Sequence, residues 1–160
     1  MAGHGKLQIE QTLYGDSEMQ SAGRQLADQL HSLQLLHGTV ITLSGELGAG
    51  KTTFCRGFIQ ACGYSGSVKS PTYTLIESYS TTRVEISHLD LYRLDDPEEL
   101  EFTGFRDLLE TDSLLLIEWP ERVESIAQLA TVKIMIGHRD SESRQLQVYS
   151  DLLPAPDVPV

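Results

Sequence analysis

TVITLSGELGAGKTTFCRGF, residues 39–58, decides the fold. Thr39 to Ser44 is an unbroken, β-branched run, the pattern of a central parallel strand covered on both faces. A glycine-rich turn follows at once, and Thr52 to Cys62 reads as a helix that Gly63 stops. The turn, Gly45-Glu46-Leu47-Gly48-Ala49-Gly50-Lys51-Thr52, is a complete G-x-x-x-x-G-K-[ST] phosphate-binding loop. Its glycines let backbone N–H groups point inward as an anion nest, and the lysine reaches the β and γ phosphates. The threonine hydroxyl ligates Mg²⁺ at a helix N-terminus.

Upstream, Lys6 to Leu13 alternates loosely, as an edge strand does. Ser17 and Gln20 form an S-x-x-Q capping box, which predicts a helix from Ser17 to Leu33 with Met19, Ala22, Leu26, Leu30 and Leu33 on its packed stripe. Downstream, Ser65 to Pro71 is a loop. Tyr73–Ser80 and Thr82–His88 are β-rich runs nearly in contact, which predicts an antiparallel hairpin. Asp96, Pro97 and Glu99 read as cap, first residue and capping-box partner of a short acidic helix. A second short helix spans Phe105 to Leu109. Ser113 to Glu118 is a buried strand ending in a carboxylate, and Pro120 opens another short helix. Val132–Ile136 and Gln145–Tyr149 are a last pair of strands. The fold class is α/β: a three-layer P-loop NTPase-like fold with a mainly parallel central sheet and an inserted antiparallel hairpin. Residues 1–152 are expected to form one domain, and 153–160, within a stretch with three prolines in nine residues, a disordered tail.

A chain of 160 residues buries roughly 70% of the surface its unfolded form exposes, and 40% apolar with 22% charged residues is ordinary for a globular protein. No apolar run approaches a membrane span and MAGHGKLQIE has no signal-peptide core, so a cytoplasmic chain without membrane contact is expected. Cys55 and Cys62 are too few for a disulfide framework and read as buried free thiols. Twelve cations against 23 acids give a net charge of −11, with no basic stripe to neutralise phosphates. Any role near RNA therefore needs a partner.

Glu118 ends the strand LLLIE where a Walker-B acid sits. The carboxyl ends of parallel strands share one crevice, which would bring Glu118 near Thr52 and Mg²⁺. Asp90, in HLDLYR, is the candidate for polarising the attacking water or holding a metal-bound water, with a turn cap as its bland alternative. In Ser70-Pro71-Thr72-Tyr73-Thr74, Thr72 or Thr74 is placed to sense a γ phosphate. Trp119 is a lid over the site or a core residue. The five histidines lack metal-ligand spacing, and His88 reads as a core residue or the outer partner of a ligand. The sequence contains no asparagine, so the N-K-x-D guanine reader is impossible and ATP is the expected nucleotide.

The strings GELGAGKTTFCRGF, VKSPTYTL, HLDLYRL, PEELEFTG and IEWPER, in that order between Ser17 and Arg122, resemble the TsaE (YjeE) family of small bacterial ATPases. The resemblance implies a Mg²⁺-dependent ATPase needed to form threonylcarbamoyladenosine at tRNA position 37. Its implied partners are the threonylcarbamoyl transferase subunit and a companion subunit, of TsaD and TsaB type, with tRNA engaged only indirectly. Turnover is expected to be slow alone and stimulated by those subunits. By motif match, Gly45, Glu46, Leu47, Gly48, Ala49, Gly50, Lys51, Thr52 and Thr53 hold the nucleotide. Thr52 and Glu118 hold Mg²⁺, and Asp90 and Lys51 are the catalytic residues. Two alternatives stay open: a small-molecule kinase, although Arg83, Arg93, Arg106 and Arg122 are dispersed rather than gathered into a lid, and an ATP-dependent assembly module without important turnover.

Overall fold

A computed structural model of the protein describes residues 5–154. One seven-stranded sheet runs through it in the order β1-β7-β6-β2-β5-β4-β3. The strands are β1 (Leu7–Tyr14), β2 (Val40–Ser44), β3 (Ile76–Ser80), β4 (Glu85–Asp90), β5 (Leu114–Glu118), β6 (Val132–His138) and β7 (Ser143–Ser150). The four central strands β6, β2, β5 and β4 are mutually parallel. Antiparallel pairs flank them on both sides, β3 on β4 and β6-β7-β1 at the other edge. β2 lies at the centre with parallel partners on both sides, and its apolar run is buried from Val40 to Leu43.

Side chains alternate across the sheet and fill two cores. α1 (Gly15–Ser32) and α2 (Lys51–Ala61) cover one face, where Leu26, Leu30, Phe54 and Phe58 pack on Ile41, Leu43, Ile86 and Leu116. α3 (Phe105–Leu109), α4 (Glu124–Leu129) and the 3-10 segment Pro97–Thr103 cover the other, where Leu100, Phe105 and Ile126 meet Leu89, Leu115 and Ile117. The three-layer α/β expectation therefore holds. α1 and α2 touch through glycines. A Cβ on Gly57 would lie 2.1 Å from the Gln20 carbonyl oxygen, and one on Gly23 would lie 2.2 Å from that of Phe54.

Several local expectations need correction. α1 starts at Gly15, not Ser17, and no Ser17–Gln20 capping box forms. β1 runs straight into the helix, Tyr14 is its N-cap, and the Tyr14 N–H donates to Glu18 Oε2 at 2.8 Å. Leu33 lies past the end of α1 and is exposed. The capping box of Asp96 and Glu99 is present, but it opens a 3-10 rather than an α-helix. Strand β3 begins at Ile76 rather than Tyr73, because Leu75 has a positive φ of 68° and its N–H closes a turn on the Pro71 carbonyl. Helix α4 carries no cap signal and was not expected from sequence. The tail expected over 153–160 starts too early: Leu153 is 5% exposed and joins the α1–α2 core. Residues 155–160 lie outside the described residues.

Candidate active site

β2 ends at Ser44, and the phosphate-binding loop leads from it into α2. Gly50 sits at φ 110°, a left-handed conformation that a Cβ would strain, at the N-cap where the loop passes into α2. The first N–H bonded within α2 is that of Phe54, to the Gly50 carbonyl. The amides of Lys51, Thr52 and Thr53 are thus the unsatisfied donors of a helix start, at the positive end of its dipole. Together with Leu47, Gly48, Ala49 and Gly50 they line a cleft of about 430 Å³, whose remaining wall includes Asp16, Ser70, Thr72, Asp90, Tyr92, Arg93, Glu118 and Trp119. The carbonyls of Gly45 and Glu46, both expected nucleotide-binding residues, face Lys51. Its ammonium donates to both, at 3.0 Å for Glu46.

Lys51 is buried, with Nζ 4.0 Å from the centroid of the Trp119 ring. Burial draws its pKa below the ordinary lysine value, against the opposing pull of Glu118, Glu121 and Asp90. A cation held by two carbonyls and an aromatic face, with acidic groups nearby but no ion pair among the described residues, suits an arriving polyanion.

Parallel register places the acids. Glu118 pairs with Leu43 of β2 on one side and with Asp90 of β4 on the other, so both carboxylates end adjacent strands at the same crevice. The Thr52 hydroxyl reaches both Glu118 oxygens, at 3.1 and 3.0 Å. The expected approach of Glu118 to Thr52 is therefore present. A hydroxyl and a carboxylate converging in this way are hard oxygen donors, the set that suits Mg²⁺. Cys55 and His88 also offer ligand atoms within 4.8 Å of one another and of Glu118. The Cys55 thiol is not poised as a ligand, because burial, with Glu118 and Asp90 nearby, pushes its pKa well up.

Asp90 accepts hydrogen bonds from the Ser70 hydroxyl at 3.2 Å and the Tyr92 N–H at 3.0 Å. The turn-capping reading thus holds for one oxygen, while the other faces the loop Ser70–Thr74. Burial raises its pKa above the ordinary aspartate value; the Tyr92 N–H bond pulls it back. Of the two candidate γ-phosphate sensors, Thr72 lines the cleft and shares a 2.8 Å hydrogen bond with Ser70. Thr74 turns away and donates to Glu77.

Trp119 is both half-buried against the second core and part of the cleft wall. Its φ of 59° turns the chain sharply after Glu118 and lays the indole over Lys51. Tyr92 packs on it at 4.9 Å between ring centroids, and Arg122 lies over both rings. Arg93 lines the cleft and stacks on Tyr73, whereas Arg83 pairs with Asp28 and Arg106 with Glu101. No arginine lid is assembled among the described residues. Sequence reasoning passed over Asp16 and Tyr92. The left-handed turn at Trp119 is what brings the Tyr92–Trp119 pair together, and no sequence pattern marks it.

The family model described as "Threonylcarbamoyl adenosine biosynthesis protein TsaE" matches residues 14–146. A tRNA threonylcarbamoyladenosine biosynthesis protein TsaE from Haemophilus influenzae is 43% identical over 140 residues, 88% of each chain. A Bacillus subtilis protein of the same name is 35% identical over 109 residues, 68% of each. The crystal structure of Bacillus subtilis YdiB superposes with a TM-score of 0.71 at 25% identity, covering 92% of this chain and 88% of that one. The P-loop, the paired strand-end carboxylates and the antiparallel flank thus sit in a chain that belongs to the TsaE family.

Proposed function

We propose that the protein is a Mg²⁺-dependent ATPase that serves threonylcarbamoyladenosine formation on tRNA. The observation that carries this reading is the contact of the Thr52 hydroxyl with both oxygens of Glu118, at the mouth of a complete phosphate-binding loop and beside Asp90. Thr52 and Glu118 are the residues that would hold Mg²⁺, which would supply positive charge against the charge developing on the transferred phosphate. The free amides of Lys51, Thr52 and Thr53 cradle the phosphates, and the Lys51 ammonium exchanges its carbonyl partners for phosphate oxygens. Asp90, with its basicity raised by burial, orients the attacking water and accepts its proton. Absence of asparagine excludes the N-K-x-D guanine reader and favours ATP over GTP.

The partners fit the charge. With a net charge of −11 the chain is a poor tRNA binder, so it acts through a transferase subunit and its companion, of TsaD and TsaB type, which hold the RNA. Reconstituted modification of an unmodified tRNA tests the reading. Adding the wild-type chain to the transferase pair sustains repeated rounds of modification, and Lys51→Ala does not. Equal product with and without the chain would refute it.

A further inference from the structure

His88 precedes Asp90 by two residues on β4 and shares its face, in the row Ile86, His88, Asp90 that looks toward α2. Ile86 beside it, and Leu114 and Leu116 on the neighbouring strand, make this an aliphatic position, where an imidazole is tolerated only if hydrogen-bonded. The ring is 0% exposed, and its one side-chain hydrogen bond among the described residues is Nε2 to Glu118 Oε2, at 2.6 Å. A carboxylate offers only acceptors, so Nε2 carries the proton and donates. Nδ1 is left with no partner among the described residues. Among the described residues, that geometry commits the ring's hydrogen bonding to Glu118 alone.

The terminal torsion of a glutamate is broad, so the carboxylate plane needs partners to fix it. Thr52 approaches from α2, and that hydroxyl is itself called on as a ligand. Resting on the Mg²⁺ reading above, we infer that His88 is a positioning residue: its Nε2–H fixes the Glu118 carboxylate toward Thr52 and so sets the strength of Mg²⁺ binding. Outer partners of this kind change metal affinity or activity by about 10- to 100-fold when removed. His88 is not part of the cleft wall, so nucleotide affinity without metal does not depend on it.

The test compares wild type, His88→Leu and His88→Gln for ATP affinity by calorimetry, in EDTA and across a Mg²⁺ series, alongside the Mg²⁺ midpoint of hydrolysis. His88→Leu is expected to need about 10- to 100-fold more Mg²⁺ while binding ATP in EDTA like wild type, which also reports an intact fold. His88→Gln, whose amide can donate from a similar reach, returns the midpoint to within about threefold. A leucine variant with the wild-type Mg²⁺ midpoint, or a glutamine variant no better than leucine, overturns this inference alone. A wild-type protein indifferent to Mg²⁺ overturns the metal reading and this inference with it. Should His88→Leu not fold, histidine ¹⁵N spectra of the wild-type protein decide. The Nε2–H tautomer with a downfield-shifted proton is expected, and the Nδ1–H tautomer overturns the inference.

Discussion

Asp90 is held in a state that costs stability and, on the ATPase reading proposed above, serves the chemistry. Burial raises its pKa, so ionising it in the folded protein is harder than in the unfolded chain. The stability linked to the protonated form is fully present below the ordinary value of 3.8 and is lost as pH rises through the higher folded value. Asparagine cannot ionise and keeps an oxygen for the Tyr92 N–H. Asp90→Asn is therefore expected to melt above wild type at pH 7, with the gap closing in acid, while hydrolysis falls by about 10² to 10⁴. Thermal melts from pH 3 to 8 check the first half; an asparagine variant that melts lower at pH 7 contradicts it. Lys51 faces the opposite way, a buried cation whose pKa is drawn down until an anion arrives. Charged hydrogen bonds are worth about 1.5–3 kcal/mol, so Lys51→Ala should weaken ATP binding at least tenfold in a calorimetric titration. An affinity within twofold of wild type would remove the lysine from the phosphate site.

The phosphate-binding loop, β2, α2 and the strand LLLIE were legible because each is dictated locally, by β-branching, glycine placement or an unbroken apolar run. Register then followed from parallel pairing, which puts Glu118 opposite Leu43 and beside Asp90. What sequence missed depends on contacts distant along the chain. Helix α1 begins at Gly15 because β1 delivers it there, and Leu153 joins the core on the α1–α2 face of the sheet. The bond between His88 and Glu118 joins residues 30 positions apart, so no spacing rule reveals it. Helix packing is the element on which the site rests: α2 is pressed onto α1 with backbone at Gly57 and Gln20 nearly in contact. A methyl at Gly57 forces the helices apart, at about 1–3 kcal/mol, or several degrees in Tm for a chain of this size. Gly137→Ala, where an added Cβ meets nothing within 4 Å, is the control and should leave Tm nearly unchanged. Equal melting of the two variants would contradict the packing argument.

Taken whole, the molecule places acids and a lysine at the phosphate cleft, but among the described residues its arginines are not gathered into a lid over it. Arg83 and Arg106 are paired with acids, Arg93 stacks on Tyr73, and Arg122 lies over Tyr92 and Trp119. An arginine supplied by another subunit is worth about 10³ to 10⁵ in rate in P-loop enzymes. Slow turnover in isolation and acceleration by the transferase pair are the expected behaviour, and a net charge of −11 would suit docking on a more basic partner. Among the described residues no helix is long and apolar enough to cross a membrane. The most direct test of the central claim is phosphate release from ATP with Mg²⁺, for wild type and Glu118→Ala, each alone and with the transferase pair. The account predicts slow release by wild type alone, clear acceleration with the pair, and loss of both rates in Glu118→Ala. Tens of turnovers per second by the isolated chain with no response to the pair, or full activity without the Glu118 carboxylate, would contradict it.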